Sequence, residues 1–183
     1  MNARLNCVDK AAFLMWCRKY EKSLGWQAQK ERELGARFRR AKLLTKADLA
    51  QVVEWKFQEQ PEKKARALEL VSRNEEATVN RLSSQALSIP SCEDAYRMNC
   101  LTLLEGINPV LASVILAFFD PKQYAILDAG TWKALLGNPP TGLLTTQSYL
   151  KLLEAIRKTA AKQKLDVRVI DKALSKKSID ESK

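Results

Sequence analysis

Apolar residues recur at helical spacing along almost the whole chain, and no stretch alternates convincingly as a half-buried strand would. Val8, Ala11, Ala12, Met15, Trp16 and Lys19 follow one helical face, with Asp9 near its start. A basic stretch from Lys30 to Lys42 follows. Thr45-Lys-Ala-Asp48 has the form of a capping box with Asp in place of Glu, and it opens a helix through Leu49, Val52, Val53, Trp55 and Phe57. Pro61 marks a break, after which Ala65, Leu68, Val71 and Ala77 continue a helical pattern. Ser91 is placed to cap a helix through Ala95, Met98, Leu101 and Leu104, which Gly106 stops. Asn108 caps the next helix, with Pro109 at its first position, where a missing N–H costs nothing. Asp128, Thr145 and Asp166 stand where three later helices begin, and the polar tail from Ser175 is expected to fray. The fold class this implies is all-α, with no internal repeat.

Composition narrows the chemistry. The chain has 183 residues and no histidine, which removes Ser-His-Asp and Cys-His triads and zinc sites that need imidazole. Cys7, Cys17, Cys92 and Cys100 form no C-x-x-C pair, so a zinc knuckle or iron–sulfur loop is not expected, and buried, reduced thiols are. Met1 to Asp9 lacks the charged-then-apolar order of a signal peptide, and no window approaches a membrane span. A cytoplasmic location is expected, at the nucleoid if the source is prokaryotic, with no membrane partner. Lys+Arg of 31 against Asp+Glu of 21 gives +10, the footprint of a polyanion partner or of a basic surface that keeps the protein soluble.

Leu103-Leu-Glu-Gly-Ile-Asn-Pro-Val-Leu-Ala-Ser113 concentrates the functional signal. Two helices meet there at a tight turn built on Gly106 and Asn108, residue types that tolerate positive φ. Such a turn aims backbone donors and a positive helix end at one point, which suits a phosphate whatever the base sequence. Downstream lies Tyr124-Ala-Ile-Leu-Asp128.

The segment Leu104-Glu-Gly-Ile-Asn-Pro-Val-Leu-Ala112 followed by Asp128 resembles the helix-hairpin-helix DNA glycosylase superfamily, the endonuclease III-like group. The matching stretch runs from about Ser91 to Gly137, a quarter of the chain. The resemblance implies two helical lobes with a cleft between them, as one domain over residues 1–175 with its hairpin unit at 91–119, and a polar tail over 176–183. It implies DNA as partner and excision of a flipped base. Gly106, Ile107, Asn108 and Val110 would hold the DNA backbone. Asp128 would stabilise the positive charge that develops on the deoxyribose and activate water. Four departures bear on this. Asn108 replaces the second hairpin glycine, Asp128-Ala-Gly130 replaces Asp-Thr-His, Val110 stands where bifunctional members carry a Schiff-base lysine, and the cysteine cluster of iron–sulfur members is missing. Monofunctional excision follows; a monomer is expected, the sequence identifies no protein partner, and no cofactor is expected beyond a monovalent cation at the hairpin.

Lys56 is a second candidate. It shares a helical face with Leu49, Val52 and Val53, so desolvation beside an apolar wall would make its amine a nucleophile or a base-recognition donor. Tyr124, Trp132 and Trp55 are candidates to line a base pocket by stacking. Each has a plainer alternative: Asp128 as a helix cap, Lys56 as a snorkelling lysine, the aromatics as core. The whole chain has two as well, a non-catalytic DNA-binding module and an all-helical protein-interaction domain.

Overall fold

The computed structural model describes residues 8–89, 93–138, 142 and 144–180. Ten α-helices and no strand occur among the described residues: α1 Lys10–Leu24, α2 Trp26–Ala41, α3 Lys46–Lys56, α4 Pro61–Ser72, α5 Glu76–Ser88, α6 Asp94–Thr102, α7 Pro109–Phe119, α8 Ala129–Leu136, α9 Thr146–Gln163 and α10 Val167–Asp180. The protein is all-helical. No helix among the described residues is long and apolar enough to cross a membrane.

Several of the expected caps are in place, whereas α6 begins after Glu93 rather than after Ser91. Asp9 accepts from the Ala12 amide, Asn108 from Leu111, Asp128 from Gly130 and Thr131, and Thr145 from Ser148. The Thr45–Asp48 capping box closes in both directions, and Asp48 also pairs with Arg37. Ser91, Cys7 and Cys92 lie outside the described residues, as do residues 139–141 of the Gly137–Gly142 loop.

The basic stretch from Lys30, for which the sequence reading set no element bounds, lies in α2 as far as Ala41, with Lys42 as its left-handed C-cap, and Ala28, Leu34 and Phe38 of this helix reach the core. Gly25, at φ 53°, turns α1 directly into α2, a conformation that favours glycine. The pattern from Ala65 to Ala77 is not continuous, because the chain turns at 73–75 between α4 and α5. The buried Asn74 stabilises that turn: its Nδ2 donates to the Val71 and Glu105 carbonyls, and its Oδ1 accepts from the Glu105 amide at 2.9 Å. The tail expected to fray from Ser175 is helical through Asp180, since α10 packs along α1 and α8 and Lys176 pairs with Asp180 at 2.9 Å.

One hydrophobic cluster draws side chains from all ten helices. At its centre is α7, where every residue from Leu111 to Phe118 is buried. Each large apolar side chain so buried contributes about 1.5–3 kcal/mol, which makes α7 the rigid mount for the turn preceding it. Close approach fixes both ends of α7. A Cβ at Gly35 would lie 2.6 Å from the Phe118 carbonyl oxygen, so glycine there lets α2 reach the end of α7. At the other end Gly106, at φ 80°, presses the α6–α7 turn onto α4: a Cβ would lie 2.9 Å from the Ala67 oxygen and from the Val71 nitrogen.

Candidate active site

The apolar face of α3 sets the position of Lys56. Leu49, Val52 and Val53 are fully buried, so the next residue on that face emerges at the edge of the core. Its Nζ lies 3.4 Å from Asp128 Oδ2; the lysine side chain is 17% exposed and the aspartate side chain 40%. The two residues that the sequence singled out for chemistry are therefore in contact, although 72 positions separate them.

The two carboxylate oxygens of Asp128 do different work. Oδ1 caps α8, accepting from the Gly130 amide at 2.8 Å and the Thr131 amide at 3.3 Å. Oδ2 faces Lys56. Capping and chemistry are thus compatible in one side chain. Burial pushes the Asp128 carboxyl up, but the Lys56 charge and the two amides outweigh it and hold the group below the ordinary aspartate range. The side chain is an ionised carboxylate at neutral pH, half-open to solvent.

Buried polar groups fix the backbone that carries it. The Leu127 amide donates to Ser113 Oγ at 2.8 Å, and Ser113 Oγ donates to the Val110 carbonyl at 2.6 Å. This relay ties the first turn of α7 to the residue before Asp128. From the other side, Asp171 of α10 accepts from the Ile126 amide at 2.9 Å and from Thr131 Oγ1 at 3.3 Å. Asp171 is held by Arg168, which also forms a two-pronged contact with Glu31 of α2, both at 3.0 Å. Burial pushes Glu31 up, but Arg168 and Lys172 outweigh it and keep Glu31 ionised. Sequence reasoning missed Ser113, Asp171 and Glu31. Their signal was a polar residue on an apolar helical face: Asp171 lies among Val167, Ile170 and Leu174.

In the α6–α7 turn Gly106 takes the positive φ that its sequence suggests, at 80°, whereas Asn108 is extended at φ −88°, and the turn offers backbone more than side chains. Ile107 is 3% exposed, so its side chain belongs to the core. The Asn108 carboxamide is engaged with Leu111, and the Asn108 carbonyl accepts from Ala112. Pro109 has no N–H, which leaves the amide of Val110 as the first-turn donor without an intrahelical partner. Beside the turn is a recess of about 410 Å3, walled by Phe57, Leu104 and Leu111 and bordered by Lys63 and Arg66 of α4. The two α4 cations had no place in the sequence reading.

The three aromatic candidates are core residues and do not assemble a pocket. Trp55 is 4% exposed, stacks edge-on to Phe118 at 4.9 Å and donates its Nε1 to the Gln27 carbonyl. Trp132 is buried, with Nε1 donating to Asn138 and Lys151 over its ring. Tyr124 is buried beneath the Arg157 guanidinium, and burial followed by the Asp94 charge pushes its phenol up to about 12. Trp132 and Tyr124 border two separate cavities, of about 480 and 350 Å3, and neither Lys56 nor Asp128 lines either one. Among the described residues no group of three or more His, Cys, Asp or Glu is arranged to hold a metal ion. Comparison of the chain with family models, curated proteins and solved structures finds no match.

Proposed function

We propose that this protein is a DNA glycosylase of the helix-hairpin-helix kind, a two-lobed single domain that hydrolyses the N-glycosidic bond of a base turned out of DNA. The observation that carries the reading is the Lys56–Asp128 contact at a partly open edge of the fold. Cleavage of the bond sends the electron pair to the departing base and leaves positive charge on the deoxyribose. An ionised carboxylate beside the sugar stabilises that charge, and it accepts the proton of the water that attacks C1′. The Ser113 relay would carry the position of the phosphate-gripping turn to the carboxylate. The net charge of +10 supports a polyanionic partner.

Lys56 favours a second course. Once Lys56 has lost its proton, its amine attacks C1′, the C1′–Nζ bond forming as the glycosidic bond breaks and its electron pair leaves with the base; Asp128, 3.4 Å away, stabilises the charge that develops. This supplies from α3 the group that Val110 lacks on α7, and it would give strand scission as well as excision.

A panel of lesion-bearing oligonucleotides, read with and without alkali, tests the proposal. Breaks that need alkali mark hydrolytic excision; breaks without alkali, trapped by borohydride, mark attack by Lys56. DNA binding with no excision across the panel identifies a non-catalytic binding module.

A further inference from the structure

Lys63 and Arg66 sit three residues apart on α4 and so share a face, and that face borders the recess beside the α6–α7 turn. Both are exposed, and neither pairs with a carboxylate among the described residues. Several cations at the other cavities are held by carboxylates, although Arg32, Arg39 and Lys151 have no carboxylate partner among the described residues. Arg157 is bound to Asp94, and Arg168 and Lys172 are bound to Glu31, Asp171 and Glu21. The recess is also unlike a mere basic surface. Its walls are mainly the apolar groups of Phe57, Leu104 and Leu111, with Thr102 and Asn108 as polar points. At about 410 Å3 it falls within the usual range for ligand clefts, about 300–1,000 Å3. Phe57 follows Lys56 directly in the chain, but neither Lys56 nor Asp128 lines the recess.

An apolar hollow bordered by unpaired cations complements a ligand with an apolar face and an anionic edge. In a nucleic acid strand that ligand is one unstacked nucleotide. We infer that the recess between α4 and the α6–α7 turn is a nucleotide subsite: it takes the base and sugar of an unpaired nucleotide against Phe57, Leu104 and Leu111, with the phosphate held by Lys63 and Arg66. The inference rests on the DNA-binding part of the proposed function. It adds α4 to the contact surface and gives the strand a second anchor besides the turn.

Binding of a fluorescein-labelled oligothymidylate, measured by anisotropy across a salt series, tests the subsite. The variants are Lys63→Gln/Arg66→Gln and Thr102→Trp. The charge pair is exposed, so its removal leaves the fold intact, and helical circular dichroism checks the filled variant. Each phosphate contact to a single strand contributes about 0.7 to the slope of log affinity against log salt. Both cations hold one phosphate, so the double variant is expected to bind with a slope shallower by about 0.7. Thr102→Trp is expected to weaken binding about tenfold at unchanged slope, because it fills the hollow without touching a charge. Wild-type binding that both variants retain overturns the subsite and leaves the proposed function standing. No binding by the wild type overturns both. Displacement of the oligonucleotide by an equal charge of polyglutamate shows a site for acidic chains in general, and it too overturns the assignment to a nucleotide.

Discussion

Lys56 Nζ lies 3.4 Å from Asp128 Oδ2, and this contact joins the last residue of α3 to the residue that caps α8. It makes the ionisation of Asp128 depend on a lysine from a distant part of the chain. Replacing Lys56 with Gln removes the largest influence holding the carboxyl down and leaves burial, which acts upward. The Asp128 carboxyl is expected to titrate at higher pH in Lys56→Gln than in the wild type, as read by carbon-13 NMR of the side chain. The sign of the linkage follows: a carboxyl lowered by folding stabilises the protein above the unfolded aspartate value, and that stabilisation is lost as pH falls through the lower folded value. The variant should therefore show a smaller acid-side loss of stability from this group.

Ser113→Ala breaks the relay between α7 and Asp128. The Leu127 amide, in a buried segment, would lose its acceptor, at a cost of about 1–3 kcal/mol. Chemical denaturation should show that loss. If the relay positions the carboxylate, excision should fall while DNA affinity holds.

Gly106→Ala tests the seating of the turn on α4. The new Cβ would meet two backbone atoms at 2.9 Å, at a residue whose φ of 80° already disfavours a side chain. Strain of this kind costs about 1–3 kcal/mol before the overlap is counted. A destabilisation above about 2 kcal/mol is expected in urea unfolding, with weakened DNA binding, since the turn cannot settle onto Ala67 and Val71.

Arg168→Met removes the cation from a buried charge cluster and leaves Glu31 and Asp171 facing one another's neighbourhood with Lys172 alone at its edge. Breaking such a set from one side costs about 3–5 kcal/mol. For a chain of this size that is a fall in Tm of roughly 6–20 °C, measurable by calorimetry. A change of less than about 1 kcal/mol would show that the cluster does not anchor α10 to α2.

Much of the helical order was legible because its signals are local. The Thr45 box, the Asn108-Pro109 start and the Asp128 cap each need only a few neighbouring residues to act. Lys56 was legible for a related reason: three apolar residues at helical spacing point the fourth position toward the core edge. Trp55, Tyr124 and Trp132 stayed open between pocket and core because burial and function place aromatics at the same spacing, and only tertiary packing separates them. Asp171, Glu31 and Arg168 were invisible as a set because their contacts span up to 137 positions. Asn74 and the α4 cations acquire meaning only when α4 is laid against the α6–α7 turn, which periodicity does not reveal.

The central claim is tested most directly by Asp128→Asn on whichever oligonucleotide the wild type processes, with excision rate and DNA affinity measured on the same preparation. Asparagine caps a helix as well as aspartate does, so the fold is expected to survive. The account predicts excision slowed by about 100- to 10,000-fold with unchanged affinity. Excision at the wild-type rate in the substituted protein would contradict it.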